Sequence, residues 1–275
     1  MAAFGGRRVE VDAHDPLGRP LTSWYAALGD SRTAVVETAA ASGLSLLDAS
    51  ERDPERASTR GTGELIAAAA RRAPTVLVGA GGSATTDGGR GALEAIAAAG
   101  GLGEARILCL CDVRIPWELA APRFAPQKGS DQAAVARLSA RLSAYALELP
   151  RNPTGVAMTG AAGGLAGGLW AACGARLVEG ARFVAERMDL DERLRGALAV
   201  VTGEGRLDPT TLAGKTVSEV ARRAALAEVP VHAVVGQDAS TVAERTALGL
   251  ASVRTASTTA EIGAAAEEIA RELER

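Results

Sequence analysis

Three stretches of the chain set glycine, hydroxyl and charged side chains at the ends of apolar runs. The first, Val78 to Gly89, reads Val-Gly-Ala-Gly-Gly-Ser-Ala-Thr-Thr-Asp-Gly-Gly. Successive small residues let backbone N–H groups converge on an anion ahead of a helix, and Ser83, Thr85 and Thr86 add hydroxyl donors. Gly81, Gly82, Ser83, Thr85 and Gly88 are therefore candidates to cradle a phosphate or a substrate. Asp87 is suited to orienting a hydroxyl or holding Mg²⁺. The same stretch matches a dinucleotide fingerprint through Gly79, Gly81 and Ala84, with Asp112 where a ribose-binding acid would stand. An NAD-dependent oxidoreductase stays open on that match, as does a plain turn, although Asp87-Gly88-Gly89 prolongs the loop where a nucleotide-binding helix should begin.

The second stretch pairs Asp112, at the end of Ile-Leu-Cys-Leu-Cys, with Lys128 in Pro-Gln-Lys-Gly. An aspartate at the C-terminal end of a parallel strand lies on the edge where open α/β proteins bind ligands. The pair would supply one metal or hydroxyl ligand and one counter-charge for phosphate; the alternative is an N-cap or loop aspartate with no ligand. The third runs from Val200 to Thr216 and holds Glu204, Arg206, Asp208 and Lys215. Two carboxylates, an arginine and a lysine ahead of a helix suit phosphates with Mg²⁺, and the alternative is a structural salt-bridge cluster. A P-loop is ruled out because Pro209 stands where the motif needs glycine.

Composition narrows the ligand. Two of the 30 basic residues are lysine, Lys128 and Lys215, and the remainder are arginine. Where such a chain keeps lysine in Gly-flanked loops, a compact ammonium acting as a point charge is a natural reason. The formal net charge of −3 and an aromatic share of 3% fit neither nucleic acid nor an anionic membrane surface. A small metabolite is the expected partner. Two histidines and three cysteines argue against zinc and against a disulfide framework, and for a reducing, cytoplasmic setting. Cys109 and Cys111 read as core residues of a strand. No stretch reads as a signal peptide or a membrane-spanning helix.

The elements that must position these loops follow from periodicity. Residues 7–11, 21–28 and 33–38 read as strands of a small opening sheet. Helices are predicted at 63–72 and 92–99, with buried strands at 75–78 and 106–111 and a helix at 131–147. Gly160 to Gly168 is a glycine-rich loop that permits close approach to a ligand or another helix. Beyond residue 179 the pattern resets: helix 180–187, strand 198–202, helix 215–227, strand 231–235, and a helix opened by the capping-box spacing Thr258 to Glu261. The expected class is α/β with mostly parallel sheets in two domains, residues 1–178 and 179–275.

Taken in order, these loops resemble the class I glycerate kinase family. The similar stretches are Val36 to Leu44, Thr59 to Ile66, the Gly-Gly-Ser-Ala-Thr loop ending at Asp87-Gly88-Gly89, Cys111-Asp112-Val113, Pro126 to Gly129, Gly160 to Gly164, and Thr202 to Asp208 with Gly214-Lys215. The resemblance implies two α/β domains, one inserted in the other, and transfer of phosphate from ATP with Mg²⁺ to D-glycerate in a cleft between domains, giving 2-phosphoglycerate. It gives Lys215 and Arg206 as phosphate contacts, Glu204 and Asp208 as Mg²⁺ ligands or general bases, the Gly79–Gly89 loop with Lys128 as a substrate or phosphate cradle, and Asp112 as a second base. Family members begin with some sixty or more residues that have no counterpart here. The Rossmann-like terminal domain is therefore expected to be incomplete at its N-terminal side, and a non-catalytic, ligand-binding relative is the competing expectation. Homo-oligomerisation would cover the sheet edge so left. Thr86, Thr159 and Arg114-Ile115-Pro116 depart from the family pattern and bear on fine specificity.

Overall fold

The computed structural model describes residues 5–30, 32–209, 211 and 216–274. The chain divides into two compact units, Met1–Gly180 and Ala181–Arg275.

The first unit is built on a six-stranded sheet in which spatial order follows chain order. Strands β1 (Arg7–His14), β2 (Pro20–Ala27) and β3 (Thr33–Glu37) form an antiparallel meander. Strands β4 (Thr75–Ala80), β5 (Arg106–Cys111) and β6 (Arg176–Glu179) then continue in parallel from β3. The opening strands thus extend one mixed sheet instead of forming a separate small one, because β3 carries two fully buried positions, Ala34 and Val36, that must pair with β4. The crossovers are helical: α1 (Ala39–Ser42) and α2 (Arg60–Ala70) between β3 and β4, and α3 (Arg90–Ala98) between β4 and β5. Between β5 and β6 lie α4 (Ala120–Phe124), a 3₁₀ turn Pro126–Lys128, α5 (Gln132–Glu148) and α6 (Leu165–Cys173). The core is aliphatic as the composition requires, with Val36, Leu65, Ile66, Val76, Val78, Cys109, Leu165 and Leu169 fully buried. Each large aliphatic side chain removed from water contributes about 1.5–3 kcal/mol.

Glycine decides how closely the second half of this unit packs. An added Cβ at Gly163, whose φ is +66°, would lie 2.0 Å from the Thr85 carbonyl oxygen, and one at Gly168 would lie 2.3 Å from that of Gly88. The glycine-rich loop and α6 therefore rest directly on the backbone of the Thr85–Gly88 loop.

The second unit is a three-stranded parallel sheet of β7 (Val200–Leu207), β8 (Val231–Asp238) and β9 (Leu250–Thr255). Around it stand α7 (Gly180–Arg187), α8 (Leu190–Leu194), α9 (Thr216–Leu226), α10 (Val242–Ala247) and α11 (Thr259–Leu273). The expected capping box at α11 is formed: Thr258 accepts from the Glu261 N–H, and Glu261 accepts from the Thr258 N–H. Among the described residues no helix is long and apolar enough to cross a membrane.

Candidate active site

The register of the first sheet brings two of the singled-out loops together. Ala80 pairs with Cys111 at the last rung between β4 and β5, so Gly81 and Asp112 each stand one residue past a strand end on the same edge. An added Cβ at Gly81 would lie 3.3 Å from Asp112 Oδ2. A cavity of about 110 Å³ opens here, lined by Gly81, Gly82, Ser83, Asp112 and Lys128 together with Leu44, Phe124 and Gln127. The loop's path is fixed by an antiparallel bridge between Gly43 and Ser83, with the Leu44 N–H donating to Gly82 O at 2.9 Å and the Ala84 N–H to Ser42 O at 2.9 Å.

Lys128 is delivered to this cavity by its 3₁₀ turn, which begins with Pro126 and ends at Gly129 in the left-handed region, φ +102°, against the Arg52 carbonyl. Its side chain is buried, and Nζ donates to Ser83 Oγ at 3.0 Å and to Thr85 O at 2.6 Å. Burial lowers its pKa from 10.5 to about 8, and the charges of Asp87 and Asp112 oppose that shift. Thr85 and Thr86 are buried, and their hydroxyls have no hydrogen-bond partner among the described residues.

Asp87 and Gly88 do different work from the cradle predicted for them. Asp87 Oδ2 accepts from Thr59 N and Thr59 Oγ1, each at 2.8 Å, and from Gly91 N at 3.2 Å, while Oδ1 accepts from Gly89 N at 3.0 Å. The start of α3, offered by the sequence to a ligand anion, is thus filled by the chain's own carboxylate. Gly88 packs inward, since a Cβ there would meet the Trp117 ring at 2.6 Å and Tyr145 at 2.9 Å. The dinucleotide fingerprint also lacks its context. The helix that follows the loop begins at Arg90, not directly after Ala84 where the fingerprint needs it.

In the second unit, β7 runs to Leu207, past the predicted end at Thr202, with Arg206 paired to Gln237 and Leu207 to Asp238. Glu204 and Arg206 therefore lie on a strand, and the pleat sets them on one face with Gly203 and Gly205 on the other. Buried Thr211 donates to Glu204 Oε1 at 2.5 Å, and its Oγ1 accepts from Asp208 N at 3.3 Å. Arg206 Nε lies 3.5 Å from Asp208 Oδ2. A groove of about 720 Å³ opens along this strand, lined by Gly203, Glu204, Gly205, Gly236, Ser257 and Ile262. Lys215 lies outside the described residues. No group of three or more His, Cys, Asp or Glu among the described residues forms a metal cage. The Glu204 and Asp208 carboxylates are nonetheless hard oxygen donors of the kind Mg²⁺ takes when water and phosphates fill most of its shell, so this donor set fits that ion.

Comparison with known proteins identifies the lineage. The model of the glycerate kinase family matches residues 1–100 and 97–275. Glycerate kinase of Bacillus subtilis (strain 168) is 36% identical over 273 residues, covering 85% of this chain and 71% of the relative. Glycerate 2-kinase of Escherichia coli (strain K12) is 35% identical over 272 residues, covering 86% and 71%. This chain belongs to the glycerate kinase family. A crystal structure from Salmonella typhimurium LT2, designated glycerate kinase 2, superposes with a TM-score of 0.72 at 34% identity, covering 92% of this chain and 76% of that one. Membership makes the chain a small-molecule kinase with the α/β, mostly parallel architecture expected of it, and leaves the oxidoreductase reading without support. Sequence reasoning passed over Leu44, Val113, Phe124, Gln127, Ala162 and Gly163 as lining residues. Leu44, Val113, Gln127, Ala162 and Gly163 lie inside the stretches that carried the resemblance, and Phe124 opens the loop before Lys128, so position in those stretches was the available signal.

Proposed function

We propose that this protein phosphorylates D-glycerate from ATP with Mg²⁺, giving 2-phosphoglycerate, as a cytoplasmic enzyme. The observation that carries the reading is the buried ammonium of Lys128 beside Asp112 in a small cavity at the C-terminal ends of β4 and β5, in a chain of this family. Gly81, Gly82 and Ser83 form the wall against which the acid rests. Asp112 accepts the proton of the hydroxyl that attacks, as its oxygen bonds to the γ-phosphorus and the bond from phosphorus to the ADP oxygen breaks. Arg206 and Lys215 would contact the phosphate chain, and Glu204 and Asp208 would hold the Mg²⁺. Bound there, the ion would offset charge on the phosphate oxygens. Thr211 fixes the Glu204 carboxylate by its hydrogen bond.

Phosphorus NMR of the purified chain with ATP, Mg²⁺ and D-glycerate tests the reading, because 2- and 3-phosphoglycerate resolve as separate signals. A 2-phosphoglycerate signal that grows with ADP is expected. 3-Phosphoglycerate in place of the 2-ester, ADP without either ester, or no turnover would contradict it.

A further inference from the structure

We infer that the face of the first unit's sheet turned away from α2, α3 and α6 is the contact surface of a two-fold dimer, in which the acidic half of the sheet in one copy lies on the basic half in the other. The occupant of the face is a second copy of this chain.

One face of the sheet is fully buried, with Val36, Val76, Val78 and Cys109 packed on Leu65, Ile96 and Leu165 of the helices. The register sets Ala26, Val35, Leu77 and Leu108 in one row across the other face. Trp24, Leu110 and Val178 stand in the adjoining row. None of these seven joins the core formed with the helices, and Trp24, Val35, Leu108, Leu110 and Val178 keep part of their surface in water. Parallel strands that are apolar at successive positions, as Val76-Leu77-Val78 and Ile107-Leu108-Cys109-Leu110 are, are ordinarily covered on both faces. Here the strands carry the sequence of a doubly covered sheet, and the second cover is what the dimer supplies.

The charges around this apolar band fit a second copy. Glu10 and Asp12 of β1 and Glu37 of β3 stand on one half of the face, and Arg106 of β5 and Arg176 of β6 on the other. None of the five has an ion-pair partner among the described residues. Arg8, on the acidic half, is turned over the Trp24 ring, 4.3 Å from its centroid. A face with acid on one side and base on the other is self-complementary about a two-fold axis parallel to the strands. That axis lays β1 over β6 of the partner subunit, so Glu10 comes beside Arg176 of the partner subunit. It also sets Ala26 against the partner's Leu108, and Trp24 against the partner's Leu110. An axis across the strands would put acid on acid, and a partner of single charge would satisfy one half only. Six strands spaced and extended as in ordinary sheets offer a patch on the order of 600 Å² per copy, and two copies reach the roughly 1,000 Å² that a specific interface needs.

Sedimentation equilibrium of the full chain tests this. A dimer that dissociates in the micromolar range is expected from an interface of this size. Glu10→Arg and Arg176→Glu should each weaken it about tenfold. The double reversal in one chain should restore it, because β1 and β6 are the two outermost strands of the sheet and the swapped charges meet only across the axis. Leu108→Glu buries a charge in the interface and should weaken the dimer at least 100-fold. Should that variant fail to fold, the charge reversals decide, since Glu10 and Arg176 are exposed. A monomer throughout the micromolar range, a dimer that none of these changes weakens, or a double reversal no tighter than the single ones would overturn the inference. None of the substituted residues lines the cavity or the groove described above, so the outcome is independent of the kinase reading.

Discussion

The two sheet edges that carry the candidate residues differ in how their charges are kept. In the first unit Lys128 is 3% exposed and Thr85 is fully buried, and the loop around them is tied by Asp87, by the Gly43–Ser83 bridge and by glycine contacts that leave no room for a methyl. In the second unit the Arg206 side chain is 59% exposed and Asp208 23% exposed. A charge held in a dry, fixed setting acts strongly and on one partner. Charges on a wet strand end are screened by salt and adapt to a flexible polyanion. The difference suits a small rigid acid on one edge and a solvated phosphate chain on the other.

Four substitutions break or sharpen that contrast. Gly163→Ala places a methyl 2.0 Å from the Thr85 carbonyl at a φ of +66°, and a stability loss on the order of 3 kcal/mol or more is expected by urea unfolding. Asp87→Asn weakens an acceptor of four hydrogen bonds and should cost roughly 1–3 kcal/mol in the same measurement. Asp208→Asn should raise the KM for MgATP about tenfold and leave that for D-glycerate unchanged, as steady-state kinetics would report. Arg206→Ala should raise the ATP KM only a few-fold, by an amount that shrinks as salt is raised.

Lys128 adds a pH signature. Its folded pKa is lowered from 10.5 to about 8, so its charge is lost as pH rises through about 8. The KM for the acid should rise above that point while the KM for ATP does not. Stability moves the other way. The unfolded chain keeps the proton to higher pH, so the buried charge costs stability below about pH 8 and that cost is relieved as pH rises from about 8 to 10.5, a gain that denaturant midpoints across that window would reveal.

Much of this architecture is legible in the sequence, and the exceptions have physical causes. Thr75–Ala80 and Arg106–Cys111 are apolar enough to read as buried strands, and Thr258 with Glu261 marks the start of α11. Strand β9, Leu-Ala-Ser-Val-Arg-Thr, escapes because it is half-buried and carries polar residues without strict alternation. Strand β6 is only four residues long. Along β7, Gly203 and Gly205 suggest a loop, but a Cβ at Gly203 would lie 2.2 Å from the Val234 carbonyl, and glycine there admits a close neighbouring strand. In the site, Asp112 and Lys128 stand out by residue type and position. Asp87 does not reveal its role, since a carboxylate in a glycine loop reads equally well as a ligand for substrate or as a tie for backbone amides. Its partner Thr59 lies 28 residues away, a contact only the folded chain supplies.

On the proposed function, the first edge reads the acid and the second reads the nucleotide. Measuring the KM for D-glycerate and the KM for ATP in Lys128→Met and in Arg206→Ala tests it most directly. Lys128→Met is expected to raise the glycerate value by about 100-fold with the ATP value held, and Arg206→Ala to do the reverse on a smaller scale. A rise in the ATP value in Lys128→Met with the glycerate value unmoved would contradict it.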